Sequence, residues 1–150
     1  MRLISERARW RVLVLAVALV GGTVLVTSSA GAAVNDDFNA STSDGCGVVN
    51  FIDYGPGAPG GGNNDDYLVI HDYCADGHGV MAYMDLNDDD YWFAEYNGNG
   101  RAGAPVVWDP FWNGNVKAGE KIELEVCLVD GVDDSSGSRC GAASRRSADG

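Results

Sequence analysis

Histidine is scarce in this chain, with His71 and His78 the only two among 150 residues. A zinc site wants a close Cys-x-x-Cys pair or two histidines three to five residues apart. The cysteines at 46, 74, 127 and 140 are spaced 28, 53 and 13 apart, and the histidines do not fit either. Serine or cysteine hydrolysis needs a nucleophile beside a base. The sequence has no Gly-x-Ser-x-Gly to supply one. His71 is followed by Asp72, but successive residues of a strand point to opposite faces, so the two cannot act as a simple base and orienter. His78 falls in a polar turn, where an exposed surface role is expected.

Positive charge is the second shortage. Ten Lys and Arg stand against 22 Asp and Glu, a net charge of −12. Such a field repels nucleic-acid phosphates and anionic lipid, so neither nucleic acid nor a membrane surface is an expected partner. A membrane-spanning run is also missing. The longest uncharged apolar stretch, residues 12–26, has fifteen residues, short of the ~20 that a spanning helix needs.

That stretch has a different reading. Arg2, Arg7, Arg9 and Arg11 precede it, and the small residues Ala30, Gly31 and Ala32 follow it. Basic head, apolar centre and small-residue end are the parts of a signal peptide, with a signal-peptide helix over residues 1–32 and cleavage after Ala32. Residues 33–150 keep six basic and 21 acidic side chains, a net −15. All four cysteines lie in this part, and an even number in a small exported chain reads as two disulfides.

No sustained helical period occurs after Ala33, whereas short runs alternate apolar and polar residues between Gly, Asn and Asp clusters. The expected fold is all-β, a small immunoglobulin-like antiparallel β-sandwich of six to seven strands with an ordered core over about residues 45–145. The clearest strand is 121–130, with Ile122, Leu124, Val126 and Leu128 on one face. Further strands are expected at 48–54, 67–74, 80–86 and 91–96, with a short one at 105–108. The strands at 67–74 and 80–86 read as a hairpin, because Asp76-Gly77 supplies the positive φ that such a turn wants. A last hairpin pairs 120–130 with about 138–147.

Four cysteines allow three connectivities. That last hairpin sets Cys127 opposite Cys140, and closing 14 residues there contributes about 3 kcal/mol. By elimination Cys46 bonds Cys74. Strict alternation would turn Arg139 and Arg145 inward, so a bulge or an edge position is expected for the final strand.

With the Ala75-Asp76-Gly77 turn after Cys74, the stretch from Ala118 to Val126-Cys127, and Cys140 beyond it, the chain resembles small secreted actinobacterial two-disulfide β-sandwich proteins of uncharacterised function. The resemblance spans most of residues 45–145 and is structural. It carries over no catalytic or binding residue. Members often place an aromatic residue after the last cysteine, where this chain has Gly141-Ala142-Ala143.

Two constellations remain. Asp85-x-Asn87-x-Asp89 matches the first three ligand positions of an EF-hand, so calcium is the one cofactor with candidate donors. Asp90 stands where that loop needs Gly, and Tyr96 where the bidentate Glu belongs. Solvated acidic turns are the commoner outcome. The second is the loop of residues 97–119, where Trp108, Phe111 and Trp112 could present rings to a ligand beside Asn113. Core burial is the competing reading for these rings. The chain is therefore expected to be a secreted, non-enzymatic binding or interaction domain for an extracellular ligand, with polysaccharide as a fitting class. A carboxylate-dependent hydrolase is the alternative, although 21 acidic residues single out no pair. A protease inhibitor of the subtilisin-inhibitor kind is another, without the Cys-Pro segment of its reactive loop. Oligomeric state is not set by any of these features.

Overall fold

The computed structural model describes residues 34–53, 66–111 and 114–148. The expected signal peptide of residues 1–32, the Gly-Pro-rich segment of residues 55–62, Trp112 and Asn113 lie outside the described residues. Eight strands form: β1 (Phe38–Ser41), β2 (Gly47–Ile52), β3 (Tyr67–Asp72), β4 (Gly79–Leu86), β5 (Phe93–Asn97), β6 (Val106–Trp108), β7 (Lys121–Val129) and β8 (Ser138–Arg146). They make two antiparallel sheets of four, in the orders β1-β2-β3-β6 and β5-β4-β7-β8. No helix occurs among the described residues.

One apolar core joins the sheets. Ala40, Val49, Phe51, Leu68 and Ile70 face Val80, Ala82, Met84, Ile122, Leu124, Val126 and Leu128, with Phe111 and Val116 closing the cluster. The cause is the two-residue repeat of these strands, which sends alternate side chains to one face. Phe51 is fully buried, with Phe38 tilted against it at 5.6 Å and Phe111 edge-on at 5.8 Å.

Several expectations need correction. There are eight strands rather than six or seven. Their order also differs from an immunoglobulin constant domain, whose third strand sits in the sheet opposite the second; here β1, β2 and β3 are successive neighbours. The segment at 75–79 makes no hairpin. Gly77 does adopt φ +88°, but β3 lies in one sheet and β4 in the other, so the turn carries the chain across the core. β4 pairs instead with β5 and with β7. The ordered domain also begins before residue 45, because β1 adds to the sheet edge through Phe38↔Phe51 and Ala40↔Val49.

Both expected disulfides form, Cys46–Cys74 at the ends of β2 and β3 and Cys127–Cys140 between β7 and β8. β8 is an edge strand, and its register with β7 shifts between Val126 and Leu128. Arg139 takes φ +53° at this irregularity, and its guanidinium pairs with Asp44 in the β1–β2 turn. Arg145 donates to the carbonyl of Asp37 at 2.9 Å. Both arginines thus reach across the open side of the sandwich to the β1 edge. Gly141 permits this close approach, since a Cβ there would run into the carbonyl oxygen of Ser41. The two ends of the domain also meet: the buried Asp36 carboxylate accepts the Ala148 N–H at 2.6 Å.

Candidate functional site

The long connection from β5 to β7 does not present its described rings as a platform. Trp108 lies on the inner side of β6 opposite Leu68 and is half-buried against the core. Phe111, 6% exposed, has its backbone N–H held by Asp109 at 2.8 Å, an Asx turn that seats the ring on Phe51. It borders a 340 Å³ recess with Leu86, Phe93 and Val116, rimmed by Asp89, Lys117 and Glu120. The nearby amides are structural too. Asn97 is buried and donates to the carbonyl of Ile70 at 2.8 Å, which ties β5 to the opposite sheet. Asn99 donates to the carbonyl of Ala104 at 2.9 Å.

The acidic turn after β4 brings together only part of the Asp85, Asn87 and Asp89 set. Asp85 faces outward beside Glu123, yet it is 2% exposed, because the turn folds over it and sets the Asp89 carboxylate against its own. Burial and that like charge raise its pKa. Asn87 points elsewhere: its amide donates to Glu120 at 3.2 Å and its oxygen accepts the Lys121 N–H at 2.9 Å. Asp89 caps the Tyr91 N–H at 2.9 Å. Asn87, Asp88 and Asp90 all take positive φ, which Asn and Asp tolerate better than most residues. Two carboxylates in contact and a third donor turned away are not the several converging oxygens that calcium takes.

Of the histidines, His78 is oriented by a carboxylate, its Nδ1 lying 2.6 Å from Asp130 Oδ1. Its ring borders a cleft in which, among the described residues, Tyr96 carries the only hydroxyl, so no described serine, threonine or thiol lies there for the couple to activate.

A different surface emerges from the strand register. The outward positions of the β1-β2-β3-β6 sheet are Asn39 and Ser41, Val48, Asn50 and Ile52, Tyr67, Val69 and His71, and Val107. None carries a fixed charge, and burial lowers the pKa of His71, which favours its neutral form. Beyond the end of β3, Tyr73 stacks on His71 with ring centroids 5.1 Å apart and planes 9° apart. Tyr73 is 50% exposed and Val107 41%. These residues are spread over four strands, so only the pairing reveals the patch. Compared with family models, with curated proteins and with solved structures, the chain matches none.

Proposed function

We propose that the protein is a secreted, non-enzymatic binding domain that holds an uncharged polysaccharide on the outer face of its β1-β2-β3-β6 sheet. Residues 1–32 serve as its export signal, and two disulfides are typical of an extracellular protein. The observation that carries the reading is the absence of fixed charge from every outward strand position of this sheet, in a chain of net −12. Neutral sugar needs no counter-charge. Desolvating a charged side chain under it would cost several kcal/mol, whereas apolar and aromatic surface gains from contact with sugar C–H groups. Asn39 and Asn50 sit opposite each other in register, where amides can serve sugar hydroxyls.

The test is retention of the purified protein on insoluble cellulose, chitin and β-1,3-glucan at low and high salt. Retention is expected on a neutral polymer and is expected to persist in high salt. Tyr73→Ala should abolish it with the melting temperature nearly unchanged, since the ring is half exposed. Retention by the variant equal to that of the wild type would overturn the assignment of this face.

A further inference from the structure

At one end of the domain the β3–β4 crossing and the β5–β6 connection border an open cleft of 580 Å³. Its lining among the described residues includes His78, Tyr96, Asn99 and Arg101 and the Cys74 end of a disulfide, with glycines between them, while Asp76 and Asp130 stand beside it. The recess beside Phe111 is lined by Asp89 and Glu120, and the one beside the other disulfide by Glu125.

The cleft also holds a cation, Arg101. Among the described residues Lys121 and Arg139 form ion pairs, Arg145 and Arg146 donate to backbone carbonyls, and Lys117 stands apart from this cleft at the recess beside Phe111. Arg101 has no such partner among the described residues, and it is exposed at the cleft. Asp130 and Asp76 are already engaged: Asp130 holds His78 Nδ1, and Asp76 accepts the His78 backbone N–H at 3.1 Å. With Nδ1 so held, Nε2 is the ring nitrogen left to meet a ligand. Tyr96 supplies a wall. A Cβ at Gly79 or at Gly98 would run into its ring, so both glycines keep the aromatic group in place between the two connections.

We propose that this cleft binds the carboxylate of a single uronate sugar, with Arg101 gripping the carboxylate, His78 Nε2 meeting a neighbouring oxygen and Tyr96 lying against the sugar ring. A guanidinium offers two parallel N–H groups that match the two oxygens of a planar carboxylate. A dianionic phosphate fits less well, because it meets the protein's negative field with twice the charge and one guanidinium to answer it. The proposal does not depend on the neutral polysaccharide face, which uses other residues.

Titration of the isotope-labelled full chain by amide NMR tests it, with sodium glucuronate, glucose and sodium acetate as separate probes. Glucuronate is expected to shift the amides of His78, Gly98, Asn99 and Gly100 saturably, with glucose leaving them in place and acetate binding more weakly. Arg101→Gln should weaken glucuronate about tenfold or more, and Arg101→Lys should recover only part of that, since a lysine keeps the charge and loses the fork. Arg101 is exposed, so both variants are expected to fold, and an unchanged spectrum away from the cleft checks this. Glucose shifting the same amides as strongly, acetate binding as tightly as glucuronate, or Arg101→Gln keeping the wild-type affinity would each overturn the proposal.

Discussion

The two sheets share one core but differ in what they turn outward. The β1-β2-β3-β6 sheet shows solvent only Asn, Ser, His, Tyr and aliphatic side chains along its strands. The β5-β4-β7-β8 sheet turns outward Lys121, Glu123, Glu125 and Arg146, with Asp85 on the same side but covered by its turn, and Lys121 bridges Asp88 and Glu123 at 2.7 Å each. It also carries a second buried cluster on this side, in which Met81, Cys127 and Val129 pack with Tyr83 and Tyr96. One outer face is thus charged and partly covered by that cluster, and the outward strand positions of the other are neutral, while each sheet carries one disulfide. Inner positions of both sheets answer to the same packing demand, so the difference between them is carried wholly by residues the core does not constrain. A neutral outer face on an anionic protein is informative for that reason.

The largest test of this contrast is the disulfide of the charged sheet. Replacing Cys127 and Cys140 together by Ala should destabilise the protein by about 3 kcal/mol, as expected for opening a loop of this length, when followed by denaturant unfolding. Binding at the neutral face should survive under native conditions. A smaller effect is expected from Val107→Asp, which places a charge on the neutral sheet at an exposed edge position. Surface substitutions of this kind shift stability by about 0.5 kcal/mol or less. Polysaccharide retention should nevertheless fall sharply, and unaltered retention would show that the missing charge has no role in binding.

The smallest change is expected at Asp85. Its folded-state pKa is raised by burial and by Asp89, with Glu123 opposite it and Lys121 directed to Asp88 and Glu123. A raised carboxyl favours the fold while protonated, below its unfolded value of about 4, and that contribution is lost as pH rises through the folded value. Asp85→Asn should therefore raise the melting temperature at neutral pH and leave it nearly unchanged near pH 4. Equal gains at both pH values would show that charge is not the cause.

Much of this architecture was legible because local alternation and global packing agree. Ile122, Leu124, Val126 and Leu128 mark β7 unaided, and the misfit of Arg139 and Arg145 announces an edge strand with an irregularity. Other features escape for definable reasons. β1 has only four residues, with no β-branched side chain among Phe38, Asn39, Ala40 and Ser41, and it exists because β2 offers an edge to pair with. The Asp76-Gly77 signal foretells positive φ, yet turn chemistry does not decide which sheet the next strand joins. That choice follows from eight residue pairs between β4 and β7, far apart in sequence. In the loop, Trp108 and Phe111 read in sequence equally as ligand contacts or as core, because an exposed and a core aromatic residue are spelled alike. On the proposed face, Tyr73 is polar-tipped and next to a cysteine, but its neighbours on other strands appear only once register is known.

The hydrogen bond from Ala148 to the Asp36 carboxylate gives the domain a topological property. Where the described chain enters and leaves, it is stitched to itself, so the backbone traces a nearly closed ring. Each strand pairing could be kept if that ring were sealed there and opened instead at a surface connection, because no pairing spans the seam. Asp36 and Ala148 are thereby held within one hydrogen bond of each other, at the two limits of the strand core.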